Sequence, residues 1–377
     1  MTQRKYPAVF MRGGTSKAII FHARDLPAAR EEWDAIFLSA MGSPDPNGRQ
    51  LDGMGGGVSS LSKVCVIAPS QRGNADIDYT FAQVQIKEAR VDYGSNCGNM
   101  SSAVGPFAVE EGLVPAADGE ATVRIFNTNT RKIIHSTFVV RDGRAAIQGA
   151  LAIPGVAGTG APIRLDFLDP GGATTGKLLP SGNALDVLDV PGIGRIEISM
   201  IDAANACAFV AAAALGLKGT EMPDELERNT DVMEKLAAIR RHASVAMGIA
   251  RTVDEARART AVPFIGFVSP AQDAYTLSGE KLAAAAADVT LRMLSNGQPH
   301  RALPLPASLC AAVAARIEGS TIWQAARRDA GDTLRVAMPS GVLTVGAEAH
   351  HDNAGWQATR GSFYRTARRL FEGHVYA

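Results

Sequence analysis

One cysteine sits where a thiol gains chemistry. In residues 90–112 an alternating run stops at Gly94. Asn96-Cys97-Gly98-Asn99 then precede a small, apolar, helix-like run from Met100 to Glu111. The N–H groups of a helix's first turn have no partner within the helix, and the macrodipole adds partial positive charge at that end. Both favour thiolate over thiol, so Cys97 is expected to act as a base or nucleophile. The flanking glycines let another molecule approach the backbone closely. The N–H groups of Gly98 and Asn99 suit a carboxylate or an enolate oxygen. The competing reading is that of most single cysteines, a small buried hydrophobe. Cys65, Cys207 and Cys310 stand in apolar runs and read as core.

Lys63 is the second candidate. It ends the glycine-rich stretch LDGMGGGVSSLS and opens an apolar strand at 64–68. Set in a partly dry cleft, such an amine exchanges protons near neutrality; at a solvated strand edge it does nothing. Arg12 and Lys17 flank Gly13-Gly14-Thr15-Ser16 between two short strands, and either grip substrate carboxylates or decorate an ordinary turn. Thr175–Asn183 is another loop of small residues. His300 precedes a second apolar helix and is either structural or functional. Neither Lys17 nor Lys63 is followed by Ser or Thr, so neither loop is a phosphate loop. No GxGxxG lies between a strand and a helix, which argues against a nicotinamide cofactor. His350 and His351 lack a third ligand at metal spacing.

The elements that must hold these groups fit an ordinary globular chain. Of 377 residues, 46% are hydrophobic and 20% charged, enough for two cores. The 38 basic and 38 acidic residues cancel, so no excess charge exists to neutralise a phosphate backbone and nucleic acid is excluded as a partner. Four cysteines without a CxxC pair, an N-terminus without a hydrophobic signal core and no apolar run long enough to span a bilayer lead to the expectation of a cytoplasmic protein with free thiols.

Periodicity predicts strands at 6–11, 18–21, 64–68, 78–86, 89–93, 123–127, 132–139 and 145–150. Further strands are expected at 196–202, 208–210 and 263–268, with a hairpin at 333–338 and 342–349. Helices are predicted at 27–41, as one long amphipathic helix at 224–247, and at 279–294. The helices at 101–109 and 308–316 are apolar all round and therefore buried. Each follows a set of strands, which predicts two similar lobes with a cleft between them. Residues 155–176, rich in Gly, Pro, Ala and Thr, are the expected crossing, giving lobes 1–176 and 177–377 with the last strand free to return to the first lobe.

At these residues the sequence resembles a known family. Met11–Lys17, Gly42-Ser43-Pro44-Asp45, Asp52–Gly56, Ser62-Lys63-Val64 and Asn96–Asn99 resemble the methylaconitate isomerase (PrpF-like) family. So do Leu179–Gly182, Asp202–Asn205 and Arg365–Arg369. That family also holds methylitaconate isomerase and oxalomesaconate tautomerases and isomerases. The resemblance covers nearly the full chain. It implies an α+β, diaminopimelate-epimerase-like fold, with each lobe an antiparallel β-barrel around a central helix. It also implies catalysis without metal or cofactor, and a homodimer. The epimerases proper place a cysteine at each helix start; here the second helix starts at Leu305-Pro306-Ala307-Ser308, which argues against racemisation by two thiols. The family pattern points instead to Cys97 and Lys63 as an acid/base pair. Arg12, Thr15, Ser16, Lys17, Asn96, Gly98, Asn99, Ser181, Gly182 and His300 are the expected contacts to an unsaturated tricarboxylate. Residues 81–84 and 88–94 are most similar to the oxalomesaconate branch, with 2-methylaconitate as runner-up.

Overall fold

A computed structural model describes residues 3–94, 97–259, 262–295, 297–327, 331 and 333–377. The chain divides into two units, Met1–Phe167 with Tyr364–Ala377, and Leu168–Phe363. The first run holds β1 (Lys5–Gly13), β2 (Ser16–His22), α1 (Trp33–Met41), β3 (Lys63–Pro69), β4 (Ile77–Val84), β5 (Val91–Asp92) and α2 (Gly98–Glu110). It continues with β6 (Gly119–Asn127), β7 (Lys132–Arg141), β8 (Arg144–Ala145) and β9 (Ile163–Leu168). The second run opens with β10 (Asp186–Val190), β11 (Gly194–Ala203), β12 (Asn205–Ala211), α3 (Pro223–Arg228), α4 (Thr230–Ala246) and α5 (Val253–Ala258). Next come β13 (Phe264–Pro270), β14 (Ala274–Tyr275), β15 (Lys281–Leu282), β16 (Val289–Ser295), β17 (Gln298–Pro299), α6 (Leu305–Ala314) and α7 (Thr321–Ala325). β18 (Thr333–Met338), β19 (Gly341–Asp352), β20 (Gly355–Arg365) and β21 (Ala367–Tyr376) close the chain. β21 lies antiparallel on β1 in the first unit. Among the described residues no helix is long and apolar enough to cross a membrane.

Each unit wraps strands on one buried helix. α2 is buried from Met100 to Val109, and its small residues let strands close in. A Cβ added at Gly105 would lie 2.6 Å from Ser136 Oγ of β7. α6 plays the same part in the second unit, buried from Ala307 to Ala314. The strands pair mostly antiparallel, with parallel partners at β2–β3 and β4–β6, and at β12–β13 and β16–β18. Because successive side chains on a strand point to opposite faces, each sheet has a second apolar face. In the first unit Val64, Val66, Ile19, Phe21, Ala82 and Val84 pack with Ile36, Phe37 and Met41 of α1. In the second, Ile196, Ile198, Met200, Ala208 and Phe267 pack with Leu236, Ile239 and Ala243 of α4.

Three expectations are corrected. Residues 279–294 form no α-helix: β15, a short 3-10 turn at Ala284–Ala286 and β16 stand there. The alanine run reads as helix by propensity, but Val289–Leu294 pair with β13, and tertiary pairing overrides propensity. The long helix at 224–247 is two, α3 and α4, parted at Asn229, whose side chain accepts from Val232 N–H and caps the second. The strand at 145–150 ends at Ala145.

The two units also share a detail that sequence identity hides. Asp76 N–H donates to the Arg124 carbonyl (2.8 Å), Arg124 N–H returns to Asp76 Oδ2 (2.7 Å), and Arg124 Nη2 reaches Asp76 Oδ1 (2.6 Å). Asp288 and Arg335 make the same three bonds at 2.8, 2.8 and 2.6 Å. Each aspartate stands just before one strand of a parallel pair, and each arginine on the other. Burial disfavours the Asp288 anion, but the Arg335 bonds outweigh it and hold the carboxyl below its ordinary value. Asp288→Asn is expected to cost about 1–3 kcal/mol in urea unfolding at neutral pH, since the Arg335 side chain is partly exposed. A depressed carboxyl contributes fully above its unfolded value of about 3.9 and less as pH falls through the folded one. The gap between wild type and variant is therefore expected to close on acidification, and a gap unchanged down to about pH 3 contradicts the assignment.

Candidate functional site

Cys97 is the N-cap of α2, with extended backbone (φ −106°, ψ 96°) and a half-buried side chain. Its carbonyl accepts Ser101 N–H at 2.9 Å and Ser101 Oγ at 3.1 Å, while its sulfur caps nothing. The first turn rests on the β1–β2 turn. A Cβ on Gly13 would sit 2.6 Å from the Asn99 carbonyl oxygen. One on Gly14, at φ +52°, would sit 2.2 Å from Asn99 Oδ1. Both glycines are there because the helix start comes this close. The Asn99 side chain donates to Thr15 Oγ1 and accepts from Arg365 Nε, each at 3.1 Å. Arg365 is buried, which lowers its guanidinium to about 10, and Nη1 donates to the Tyr364 carbonyl at 2.8 Å. Gly13→Ala leaves φ unstrained but must push on backbone at the helix start. It is expected to lower kcat by about tenfold, since small displacements of a catalytic group cost that much, with KM little changed in steady-state kinetics; an unchanged kcat would show that the seat is loose.

Lys63 opens β3 and is buried. Val64 and Val66 face α1, so Lys63 and Cys65 share the opposite face. On neighbouring β4, Lys63 pairs with Gln83 and Cys65 with Phe81. Lys63 Nζ donates to Gln83 Oε1 and lies 5.0 Å from the centre of the Phe81 ring. Tyr79 is fully buried, bonded to Ser101 of α2 and 3.9 Å from Cys65 Sγ. The Cys65 thiol is pushed up by burial first and then by Cys97, and pulled down by the Tyr79 hydroxyl and by Lys63. Through Tyr79 and Ser101 the β3–β4 face that carries Lys63 meets the first turn of α2, where Cys97 is the N-cap.

The remaining expected contacts are spread more widely. Arg12 Nη1 donates to the carbonyls of Gly14 and Thr366, both at 2.9 Å, and burial followed by Arg368 lowers its guanidinium. Ser16 is buried and Thr15 exposed. Lys17 shares the parity of Ile19 and Phe21, away from Lys63, with Nζ 5.7 Å from the Phe10 ring centre. Asn96 lies outside the described residues. Ser181, Gly182 and His300 belong to the second unit. Ser181 Oγ donates to Asp186 Oδ2 at 2.6 Å in an exposed turn. Gly182, at φ +88°, lines a cavity of about 540 Å³. The His300 ring stands 6.2 Å from that of Phe264, and burial lowers its imidazole. Sequence reasoning missed Gln83, Tyr79 and Arg365 as neighbours of the pair. The alternation of β4, with Tyr79, Phe81 and Gln83 on one parity, was the signal for the first two.

The repeat tells which unit carries the ionisable groups. The β1–β2 turn ends in the pair Gly13↔Ser16, and Ile19 stands beside Val64. The β11–β12 turn ends in Ala203↔Asn205, and Ala208, at the same step along its strand, stands beside Ile265. The residue matching Lys63 is therefore Phe264, and the N-cap matching Cys97 is Pro304. Neither titrates. Among the described residues no group of three or more His, Cys, Asp or Glu is placed to hold a metal ion. What the first unit offers is one thiol at a helix start and one buried amine, a set suited to taking a proton from one carbon and returning it to another.

Comparison with known proteins agrees. The chain is 41% identical to the 3-methylitaconate isomerase of Eubacterium barkeri, covering 99% of this chain and 97% of that one. It is 38% identical to the 2-methyl-aconitate isomerase of Shewanella oneidensis, at 99% and 97% coverage. It is 37% identical to the (4E)-oxalomesaconate Delta-isomerase of Novosphingobium sp. strain KA1, at 98% and 97%. A crystal structure of methylitaconate-delta-isomerase superimposes with a TM-score of 0.93 at 40% identity, covering 100% of this chain and 96% of that one. A hydroxyproline epimerase from Agrobacterium vitis shares the fold alone, with a TM-score of 0.50, 12% identity and coverage of 99% and 93%. The fold is diaminopimelate-epimerase-like, α+β with two similar lobes, each built of strands around a central helix. The model of the family described as PrpF protein matches residues 3–377, and so the chain belongs to the PrpF family.

Proposed function

We propose that this PrpF-family isomerase moves a carbon–carbon double bond in an unsaturated di- or tricarboxylate by a 1,3-allylic proton shift, without a cofactor. Cys97, as thiolate, removes a proton from a carbon next to a conjugated carbonyl or carboxylate. Charge spreads into a dienolate. The N–H groups of Gly98 and Asn99 hold the developing oxyanion, and Lys63 returns a proton two carbons away. The observation that carries this reading is that the β3–β4 face bearing Lys63 meets the first turn of α2, capped by Cys97, through Tyr79 and Ser101. At the matching positions of the second unit, Phe264 and Pro304, there is neither thiol nor amine. Arg12, Thr15, Ser16, Lys17, Asn96, Ser181, Gly182 and His300 stand as proposed substrate contacts, Arg365 joins them as a neighbour of the helix start, and the working form is a homodimer.

4-Oxalomesaconate is the first candidate substrate, on the likeness of residues 81–84 and 88–94 to that branch. 2-Methylaconitate is equally supported, because the relatives named for the three substrates are all 37 to 41% identical to this chain. The deciding experiment is proton NMR of the pure protein with 4-oxalomesaconate, 2-methylaconitate and 3-methylitaconate in heavy water. One of them is expected to isomerise with deuterium entering at the new position. A protein that binds the acids but moves no double bond in any of them is a tricarboxylate-binding accessory instead.

A further inference from the structure

We infer that Gln83 is the positioning residue of Lys63, an inference that rests on the acid/base role proposed for that amine. The side chain of Gln83 is itself held in one orientation. Its Nε2 donates to the carbonyls of Ser59, at 3.1 Å, and Ser62, at 2.9 Å. Two carbonyl acceptors on that side need the NH2 end of the amide, so Oε1 must face the other way. It faces Lys63 Nζ and accepts a hydrogen bond from it. The carbonyls are fixed in turn. Ser59 opens the turn Ser59–Leu61 that ends the glycine-rich stretch. Ser62 is buried, its hydroxyl donating to the Val84 carbonyl at 3.0 Å and accepting from Gln50 Nε2 at 2.7 Å. Gln50 Oε1 accepts the N–H of Gly57 at 3.0 Å. Two glutamines therefore fold the loop and aim the amine.

The choice of a neutral amide has a chemical reason. Among the described residues the partners of the Lys63 ammonium are the Gln83 amide oxygen and the Phe81 ring, with no carboxylate in ion-pair distance. An amide oxygen directs one N–H of the ammonium without the full charge that would hold its proton, and Phe81 shields another side. A glutamate here would oppose two carbonyl oxygens and pin the proton on the amine.

Three variants test this on whichever of the three acids the protein turns over. Gln83→Met keeps the length and removes the acceptor. It is expected to lower kcat by about tenfold or more, with KM changed less than about twofold, and to lower the thermal midpoint, because two loop carbonyls lose their donor as well. Gln83→Glu is expected to move the alkaline limb of the kcat/KM profile to higher pH, because a proton-donating amine beside an anion loses its proton later. A merely structural glutamine would leave that limb in place. In a Lys63→Met background, Gln83→Met is expected to add nothing. Full turnover by Lys63→Met alone overturns the acid/base reading itself. Inactive Lys63→Met together with fully active Gln83→Met, or an unmoved limb in Gln83→Glu, overturns only the role of Gln83.

Discussion

Replacing Cys97 with serine is expected to cut turnover by about 10²–10⁴-fold, the range spanned by loss of a general acid or base, while the protein unfolds no earlier than wild type. The two halves of that result have separate causes. At an N-cap, serine is among the preferred residues because its hydroxyl accepts from the first-turn N–H groups. Cys97 occupies the cap without making such a bond. The chain therefore keeps a poor cap at the start of a buried central helix, where a better one is a single atom away. A residue that lowers local stability at a helix start is better explained by chemistry than by packing. Serine is too weak an acid to exist as its anion near neutrality, so the variant retains shape, hydrogen bonding and burial but loses the base. Thermal unfolding and substrate turnover, measured on the same preparation, separate the two. A serine variant that turns over normally would remove Cys97 from the reaction, and one that unfolds much earlier would make the cysteine structural.

How far the sequence reached depended on distance along the chain. Both central helices were legible because an all-round apolar, small-residue run has only one comfortable place, the middle of a unit. Cys97 and Lys63 could be put forward from the sequence because residue type and local setting single them out: a cysteine between glycines at a helix start, a lysine after a glycine-rich loop. Gln83 was not, since its meaning is a register. Only the pairing of β3 with β4 sets it opposite Lys63, and a slip of one residue would turn it to the α1 face. Arg365 lay further still out of reach: it meets Asn99 across 266 positions, after the chain has completed the second unit and returned to the first. The helix expected at 279–294 failed for a related reason. Five alanines in a row favour helix locally, and nothing local reveals that Leu291 and Thr290 will find Val268 and Ser269. The matching aspartate–arginine pairs likewise became visible only when two parallel strand pairs placed Asp76 by Arg124 and Asp288 by Arg335.

Lys63→Met is expected to abolish isomerisation by a similar factor, about 10²–10⁴-fold, yet to leave half of the proton traffic running. Methionine matches the length of the lysine stem and suits a site that is buried and faces the Phe81 ring. The structural cost is the Gln83 oxygen left without its donor, about 1–3 kcal/mol, which lowers the thermal midpoint without unfolding the protein. What remains is a thiolate that can remove a proton, exchange it with solvent and put it back on the same carbon. In heavy water Lys63→Met is therefore expected to wash deuterium into the carbon that Cys97 deprotonates while the double bond stays where it is. Cys97→Ser is expected to do neither in that direction. This asymmetry assigns the roles, which equal losses of turnover cannot do. The opposite pattern, wash-in by Cys97→Ser and none by Lys63→Met, would make the amine the base and the thiol the acid. Isomerisation at the full rate by Lys63→Met would leave the amine no part in the chemistry.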